Sequence, residues 1–346
     1  MNECILKSKT YFAAANGYYG FRSNFDKIFS PERIDKLFVI KGGPGTGKST
    51  MMKKIAKEFC DKAKIINILC SSDPSSLDGL ILSKNGVSIA IADGTSPHAI
   101  EPTYPGAFEE IVNLGEGFDF DELRKNKDEI IRISHNKKTE YNKAYSLLSV
   151  AGDLYKYISI HFLNIDIYNL AESLAKKTIS DDNECRYTSV DEDYLVGAFS
   201  KDGYKRLSLE TEKSLEIRIK GDGISEYLLM SKIHEILAKE KLIKRIYPSA
   251  FSGDLCDAIE TDSTIFLICY DDVEAVDSSL LLLTSDEYKS IKTVYDSVIE
   301  KSRQCFKCAS TYHFLLEDIY SQNISFEKNE ITYERIIEEI YNLFSK

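Results

Sequence analysis

The chain has 346 residues and a formal net charge of −11, and 43% of its residues are hydrophobic. This length favours two domains over one, and the negative charge argues against wholesale wrapping of nucleic acid, which needs a basic surface. No stretch approaches the roughly 20 apolar residues of a membrane helix, and the N-terminus lacks the build of a signal peptide. We therefore expect a cytoplasmic protein whose partners include neither a membrane nor nucleic acid.

The first informative segment is a glycine-rich loop between a predicted strand and a predicted helix. Residues 36–40 are apolar enough for a short buried strand, and Met52, Ile55 and Phe59 share one face of the helix that follows the loop. The loop between them matches the Walker A pattern G-x-x-x-x-G-K-[S/T]. This strand–loop–helix context is typical of a P-loop that binds the phosphates of a nucleoside triphosphate.

Each residue type in the loop has a physical role in phosphate binding. Glycines allow successive backbone amides to point into one nest, and the helix N-terminus adds partial positive charge. Lys48 is predicted to reach the β- and γ-phosphates, and Ser49 to ligate Mg²⁺. The predicted nucleotide-binding residues are Gly42, Gly43, Pro44, Gly45, Thr46, Gly47, Lys48, Ser49 and Thr50.

Two further predicted strands end near acidic residues. The strand over residues 87–93 ends in Asp93, to which we assign magnesium, although an Asp-Gly turn is the alternative. The strand over residues 64–70 is followed by Asp73, which could act as a catalytic base or only form a turn before Pro74.

The polar segment after Asp93 contains two more candidate catalytic residues. His98 could be a general base, a substrate contact or a structural hydrogen-bonding group, and Glu101 could contact an acceptor molecule. Gly94 stands where many motor-type ATPases carry the glutamate that orients the attacking water. This departure leaves hydrolysis an open question.

The chain also matches itself at an offset near 180 residues, which predicts two copies of one domain. Ile40-Lys41-Gly42 matches Ile219-Lys220-Gly221, and residues 89–92 match residues 265–268. The second copy has a shorter loop with Glu226 in the place of Lys48 and Tyr227 in the place of Ser49. This alignment also puts Cys269 in the place of Asp93. Because a carboxylate repels a polyanion, we expect no triphosphate binding in the second copy.

The expected fold is α/β, a P-loop NTPase-type, mostly parallel sheet that is flanked by helices and duplicated, with helical appendages. Residues 1–180 are predicted to form the active domain with a helical extension, residues 181–192 a linker, and residues 193–346 the degenerate copy. Within the extension, Asp119 is a predicted N-cap with Glu122 three residues later. Ile336, Ile340 and Leu343 predict a C-terminal helix that docks through one face.

These features together resemble an uncharacterised bacterial family of two-repeat P-loop ATPases, within the superfamily of P-loop nucleoside triphosphate hydrolases. The resemblance covers nearly the whole chain. It implies a P-loop fold and nucleotide binding, and little more. The blocks that carry it are residues 11–13, 20–21, 41–50, 70–74, 76–79, 93–95, 97–98, 101–102 and 105–106.

Three functions fit this sequence. The first is a Mg-dependent ATPase with one working site, in which the active copy transmits a nucleotide-dependent movement. The second is a small-molecule or nucleotide kinase that uses Asp73 as its base, and the third is a nucleotide-sensing module with little turnover. The guanine-reading pattern Asn-Lys-x-Asp is absent from the sequence, so ATP with Mg²⁺ is the expected ligand. A protein partner or an acceptor molecule is not identified.

Overall fold

The computed structural model describes residues 8–181, 187–209, 213–270, 274–282 and 285–345. The described chain is α/β, with two mixed six-stranded sheets whose strand pairs are mostly parallel and which are flanked by helices. The predicted α/β class and the duplication are confirmed. No helix among these residues combines the length and the apolar content that crossing a bilayer requires.

The first half of the chain contains eight strands and five helices within the described residues. In chain order they are β1 (Lys9–Phe12), β2 (Ala14–Gly17), β3 (Gly20–Ser23), α1 (Phe25–Ile28), β4 (Lys36–Lys41), α2 (Lys48–Glu58), β5 (Lys64–Leu69), β6 (Leu77–Lys84), β7 (Val87–Asp93), β8 (Glu109–Asn113), α3 (Phe120–Lys125), α4 (Lys127–His161) and α5 (Ile165–Asp181). A 3₁₀ helix, Leu114–Gly117, follows β8.

Among the described residues, the second half repeats this order except for the short helices α1 and α3. Its elements are β9 (Val190–Asp191), β10 (Gly197–Ser200), β11 (Gly203–Arg206), β12 (Leu215–Lys220), α6 (Ser225–Lys239), β13 (Arg245–Pro248), β14 (Cys256–Glu260), β15 (Thr264–Ile268), β16 (Val276–Asp277), α7 (Asp286–Gln322) and α8 (Glu327–Phe344). A 3₁₀ helix, Ser279–Leu281, follows β16.

The two sheets have one topology. The first sheet has the strand order β1-β5-β6-β7-β4-β8. The second has the order β9-β13-β14-β15-β12-β16, in which each strand takes the place of its counterpart in the first sheet. In each sheet the strand before the glycine loop pairs in parallel with both of its neighbours. Both sheets also carry an irregular register at the end of the same strand, after Ile68 in β5 and after Tyr247 in β13. The repeat is therefore a repeat of structure.

The antiparallel hairpin β6–β7 is an element that sequence analysis missed. Its turn is Asn85-Gly86, and both residues have positive φ angles, 53° and 84°. Asn-Gly between two apolar runs is the strongest short-range signal of a hairpin, so the signal was present. The strand β6 lies between β5 and β7 and brings Asp78 beside the strand that ends in Asp93.

The compact units of the chain differ from the predicted domains. One unit, here called unit 1, takes the chain up to Ala14, Ser23–Lys143, and the chain from Gln304 onward. The other, unit 2, takes Ala15–Arg22 and Ala144–Arg303. The predicted boundary near residues 181–192 thus marks the repeat and not the compact units, and that segment contains β9. Residues 182–186 lie outside the described residues.

Helix packing explains this division. Ile336, Ile340 and Phe344 of α8 are buried against the first sheet in one core with Met52 and Ile55 of α2, so the C-terminal helix docks through its apolar face as predicted. In unit 2, α5 lies on α6, where the Lys232 ammonium is 4.8 Å from the Tyr168 ring centroid. Each unit therefore contains a helix that belongs to the other copy in sequence.

Candidate functional site

The glycine-rich segment, residues 42–50, is here called the first loop. It leaves the end of β4 and enters α2 with Gly45 and Gly47 at φ angles of 70° and 84°, values that favour glycine. The Thr46 hydroxyl, which is buried, donates to the Gly43 carbonyl oxygen at 2.9 Å. The Asn329 side chain of α8 donates to the Thr46 carbonyl oxygen, also at 2.9 Å. These bonds hold the loop in one conformation.

We call a backbone amide open when its N–H group donates no hydrogen bond within the described residues, and the first loop has several such amides. Among the described residues, the N–H groups of Gly43, Gly45, Thr46 and Gly47 have no hydrogen-bond acceptor. The N-terminus of α2 has no side-chain cap either. Backbone donors that converge without protein acceptors at a helix N-terminus form an anion-binding arrangement.

Lys48 lies at the centre of this loop. Its ammonium donates to the carbonyl oxygens of Gly42 and Gly43 at 2.9 Å each, and it lies 3.6 Å from a carboxylate oxygen of Asp93. The structure thus brings together Lys48 and Asp93, two residues predicted from separate segments. The pairing arises because β7 lies beside β4, with Asp93 opposite Ile40.

Asp93 is buried and oriented by its own turn. Its Oδ1 accepts from the Thr95 amide at 2.9 Å and from the Thr95 hydroxyl at 2.6 Å. The next residue, Gly94, donates its amide to the Ile40 carbonyl oxygen, and an added Cβ would lie 2.4 Å from Val39 Cγ1. A larger side chain at position 94 would therefore require the buried Val39 side chain to shift.

A second buried carboxylate, that of Asp78, lies beside Asp93. The Nε2 atom of His98 lies 3.5 Å from Asp78 Oδ2, and the His98 ring stacks on Phe25 with centroids 4.5 Å apart. One ligand-type atom from each of Asp78, Asp93 and His98 can be chosen so that all three lie within 4.8 Å of one another. We call these three side chains the acid–histidine cluster. Sequence analysis proposed Asp93 and His98 but missed Asp78.

Burial determines the ionisation of this cluster. Burial first, and then the negative charge of Asp93, raise the pKa of Asp78 to about 7. Burial lowers the pKa of His98, an effect that the negative charge of Asp93 opposes. Neutral imidazole next to carboxylates of this kind is the form of histidine that binds metal ions.

The other predicted site residues lie outside the cluster. Asp73 accepts hydrogen bonds from the amide and the hydroxyl of Ser75 at 3.4 and 3.0 Å, which is a turn geometry. Glu101 is exposed and lies 3.3 Å from the ammonium of Lys41. Ser49 accepts a hydrogen bond from the Leu77 amide at 2.9 Å, so its hydroxyl lies next to the strand that carries Asp78.

Two more groups near the first loop come from helices α4 and α7, in which sequence analysis proposed no site residue. Burial first, and then the positive charge of Lys48, lower the pKa of Lys137 on α4. An added Cβ at Gly45 would lie 2.7 Å from the carbonyl oxygen of Glu317 on α7. Only the folded chain shows these contacts, because α4 and α7 are far from residues 42–50 in sequence.

The corresponding segment of the second half, residues 221–227, is here called the second loop. Its amides donate to its own side chains: those of Ile224 and Ser225 to Asp222 Oδ1 at 3.2 and 3.0 Å, and that of Gly223 to Glu226 Oε2 at 3.0 Å. The carboxylate of Glu226 is fully buried, and burial raises its pKa to about 7. The second loop therefore contains its own anions where the first loop is open.

One prediction about the repeat is wrong. Ile219 pairs with Ile268 as Ile40 pairs with Asp93, and the Cys269 amide donates to the Ile219 carbonyl oxygen as the Gly94 amide does to that of Ile40. The residue in the place of Asp93 is therefore Ile268, one position before Cys269.

Asp78 has a counterpart in the second half, Asp257. Each follows the first residue of its strand and falls at the same register irregularity. Asp257 accepts hydrogen bonds from the hydroxyls of Tyr204 and Tyr227 at 2.7 and 3.0 Å. The guanidinium of Arg206 lies 3.3 Å from the same carboxylate. The second half therefore retains one of the two acids and pairs it with an internal cation.

Comparison of the chain with protein-family models, with curated proteins and with solved structures found no match.

Proposed function

We propose that the first loop is a P-loop that binds ATP with Mg²⁺ and that the chain hydrolyses this ATP. The open amides of the first loop support the proposal most directly, since four donors at a helix N-terminus lack a protein acceptor among the described residues. A triphosphate is the ligand whose oxygens fit such a nest. The chain also presents Lys48 in the loop and Asp93 beside it.

Different residues of the site would bind the phosphates and the Mg²⁺ ion. The loop amides and Lys48 would bind the β- and γ-phosphates, for which Lys48 must exchange its contacts with the Gly42 and Gly43 carbonyl oxygens for phosphate oxygens. Ser49 and Asp93 would hold Mg²⁺, which neutralises charge on the phosphates when bound. Lys137 adds a second positive charge near Lys48.

The second loop is proposed to be a pseudo-site. Its amides already donate to Asp222 and Glu226, so a phosphate would have to displace bonded carboxylates. No lysine stands at the position of Lys48, and Ile268 cannot replace Asp93 as a ligand. An active copy joined to an inactive one in the same chain is an arrangement in which the nucleotide state of the first can be transmitted to the second.

A kinase is the alternative, and one experiment separates it from the ATPase. Purified protein is incubated with Mg-ATP, with and without a pool of metabolites, and free phosphate is compared with phosphorylated product. The ATPase predicts steady phosphate release that needs no acceptor, and Lys48→Ala abolishes it. Product that depends on an acceptor would favour the kinase. Tight binding without turnover would favour a sensing module, and normal binding by Lys48→Ala would contradict the site itself.

A further inference from the structure

We propose that Asp78, Asp93 and His98 bind a divalent transition-metal ion of the Mn²⁺ type. This ion would bind in the place given above to Mg²⁺, since Asp93 is a ligand in both, so its role beside the nucleotide rests on the proposed function. Binding of the ion to the chain does not depend on the proposed function, because the three ligands are present without nucleotide.

Geometry supports the site first. The candidate ligand atoms of the acid–histidine cluster all lie within 4.8 Å of one another. A metal ion bonded at about 2.1 Å places pairs of its ligands up to roughly 4.2 Å apart. The distances between these atoms therefore have to shrink by roughly 0.6 Å at most, from 4.8 to about 4.2 Å, for the three groups to bind one ion. Asp93 is already oriented by Thr95, and the His98 ring by its stacking on Phe25.

Charge supports the site second. Asp78 and Asp93 are two buried carboxylates in one cluster, and a cation bound between them would favour the ionised form of both. Lys48 contacts Asp93 at 3.6 Å, but the proposed function transfers its ammonium to phosphate. A metal ion bound to the two carboxylates and His98 would then compensate the negative charge that they and the triphosphate bring together.

The second half provides the independent comparison. There the equivalent carboxylate, Asp257, is neutralised by the guanidinium of Arg206 at 3.3 Å, and the second acid is replaced by Ile268. The chain thus supplies a cation of its own where one carboxylate remains. Where two carboxylates and an imidazole meet, it supplies an arrangement of metal ligands instead.

The ligand set determines the class of ion. Mg²⁺ prefers oxygen ligands and is held by one or two carboxylates with water, whereas an imidazole nitrogen favours first-row transition ions. Mn²⁺ accepts both carboxylate and imidazole ligands, and its affinity for mixed sites exceeds that of Mg²⁺. The proposed site should therefore discriminate between the two ions even without nucleotide.

Titration of the full, metal-stripped chain with Mn²⁺ and with Mg²⁺ by calorimetry, without nucleotide, tests the proposal. We expect one Mn²⁺ per chain, bound at least about tenfold more tightly than Mg²⁺. Electron spin-echo modulation of the Mn²⁺ complex should show coupling to one ¹⁴N nucleus, which His98→Gln removes. Mn²⁺ that binds without nitrogen coupling, or no more tightly than Mg²⁺, would overturn the proposal.

Matched variants separate this proposal from the proposed function. Asp78→Asn should weaken Mn²⁺ binding at least about tenfold, while Glu101→Gln, which changes an exposed acid outside the cluster, should leave it unchanged. Lys48→Ala should abolish ATP binding but retain or strengthen Mn²⁺ binding, because it removes a cation beside Asp93. An equal loss of Mn²⁺ affinity in both acid variants would refute the proposed site. Circular dichroism verifies folding of each variant.

Discussion

The two loops of this chain occupy the same place in the same sheet topology and differ in what their amides contact. In the first loop four amides have no acceptor among the described residues, and Lys48 stands beside them. In the second loop the amides donate to Asp222 and Glu226. The comparison shows that two copies of one loop can keep their place in the sheet and differ in charge, so the fold alone does not identify an anion-binding site.

The largest effect is expected for Lys48. Lys48→Ala removes the one cation of the first loop, so we expect ATP affinity to fall at least about 100-fold, or roughly 3 kcal/mol. Fluorescence anisotropy of a labelled ATP analogue measures this change. Lys57→Ala, which removes an exposed cation from the same helix, is the control and should bind as the wild type does. A similar loss in both variants would show that general charge, and not the loop, binds the ligand.

Glu226 offers a test of the second loop through pH. Its pKa is about 7 in the folded chain against about 4.5 when unfolded, so the folded state holds more protons between these values. Stability should therefore fall as pH rises from about 4.5 to 7, by roughly 3 kcal/mol in total. Glu226→Gln cannot ionise and keeps an oxygen for the Gly223 amide.

Urea unfolding at pH 5 and pH 8, followed by circular dichroism, measures this difference. Glu226→Gln should be more stable than the wild type at pH 8, and the gap should shrink at pH 5. Glu240→Gln, an exposed acid at the end of the same helix, should follow the wild type at both values. If the stability of Glu226→Gln also equalled that of the wild type at both pH values, Glu226 would not be a buried acid of the second loop.

Two glycines with positive φ compare the loops directly. Alanine at either Gly45 or Gly223 costs roughly 1–2 kcal/mol in backbone strain. At Gly45 the Cβ would also lie 2.7 Å from the Glu317 carbonyl oxygen, whereas at Gly223 the nearest atom is 3.9 Å away. Gly45→Ala should therefore lower the thermal midpoint more than Gly223→Ala does, and it should weaken ATP binding about tenfold. Gly223→Ala should leave ATP affinity unchanged, and weaker ATP binding in that variant would contradict the assignment.

The smallest effect concerns the rigidity of the first loop. Thr46→Val removes the hydroxyl that donates to the Gly43 carbonyl oxygen and leaves that oxygen without this donor. We expect a loss of about 1–2 kcal/mol in stability and a few-fold loss in ATP affinity. Thr46→Ser keeps the donor and should retain most of both in the same thermal and anisotropy assays. Equal losses in the two variants would show that the methyl group, and not the hydrogen bond, matters.

Local sequence predicted those parts of the site that lie within one element. The strand before Lys48 and the strand that ends in Asp93 were visible as apolar runs next to polar residues, and β4 and β7 confirm them. The position of His98 beside Asp78 could not be predicted, since it depends on β6, which was missed despite its Asn85-Gly86 turn. Without that strand Asp78 was only an acid in a loop.

The error in the repeat has a similar cause. The run Ile265-Phe266-Leu267-Ile268 is apolar throughout, so it aligns with residues 89–92 equally well when shifted by one position. Only the pairing of Ile219 with Ile268 fixes its register. The compact units could not be predicted for another reason: each unit contains a helix from the other copy, and an amphipathic stripe does not specify the element on which it will pack.

The number of nucleotides bound per chain tests the central claim most directly. Calorimetric titration with a non-hydrolysable ATP analogue and Mg²⁺ should give one site in the wild type, one in Glu226→Gln and none in Lys48→Ala. Two sites in the wild type, or one site that survives Lys48→Ala, would contradict the account. In that account the amides of the first loop are open and those of the second loop donate to its own side chains.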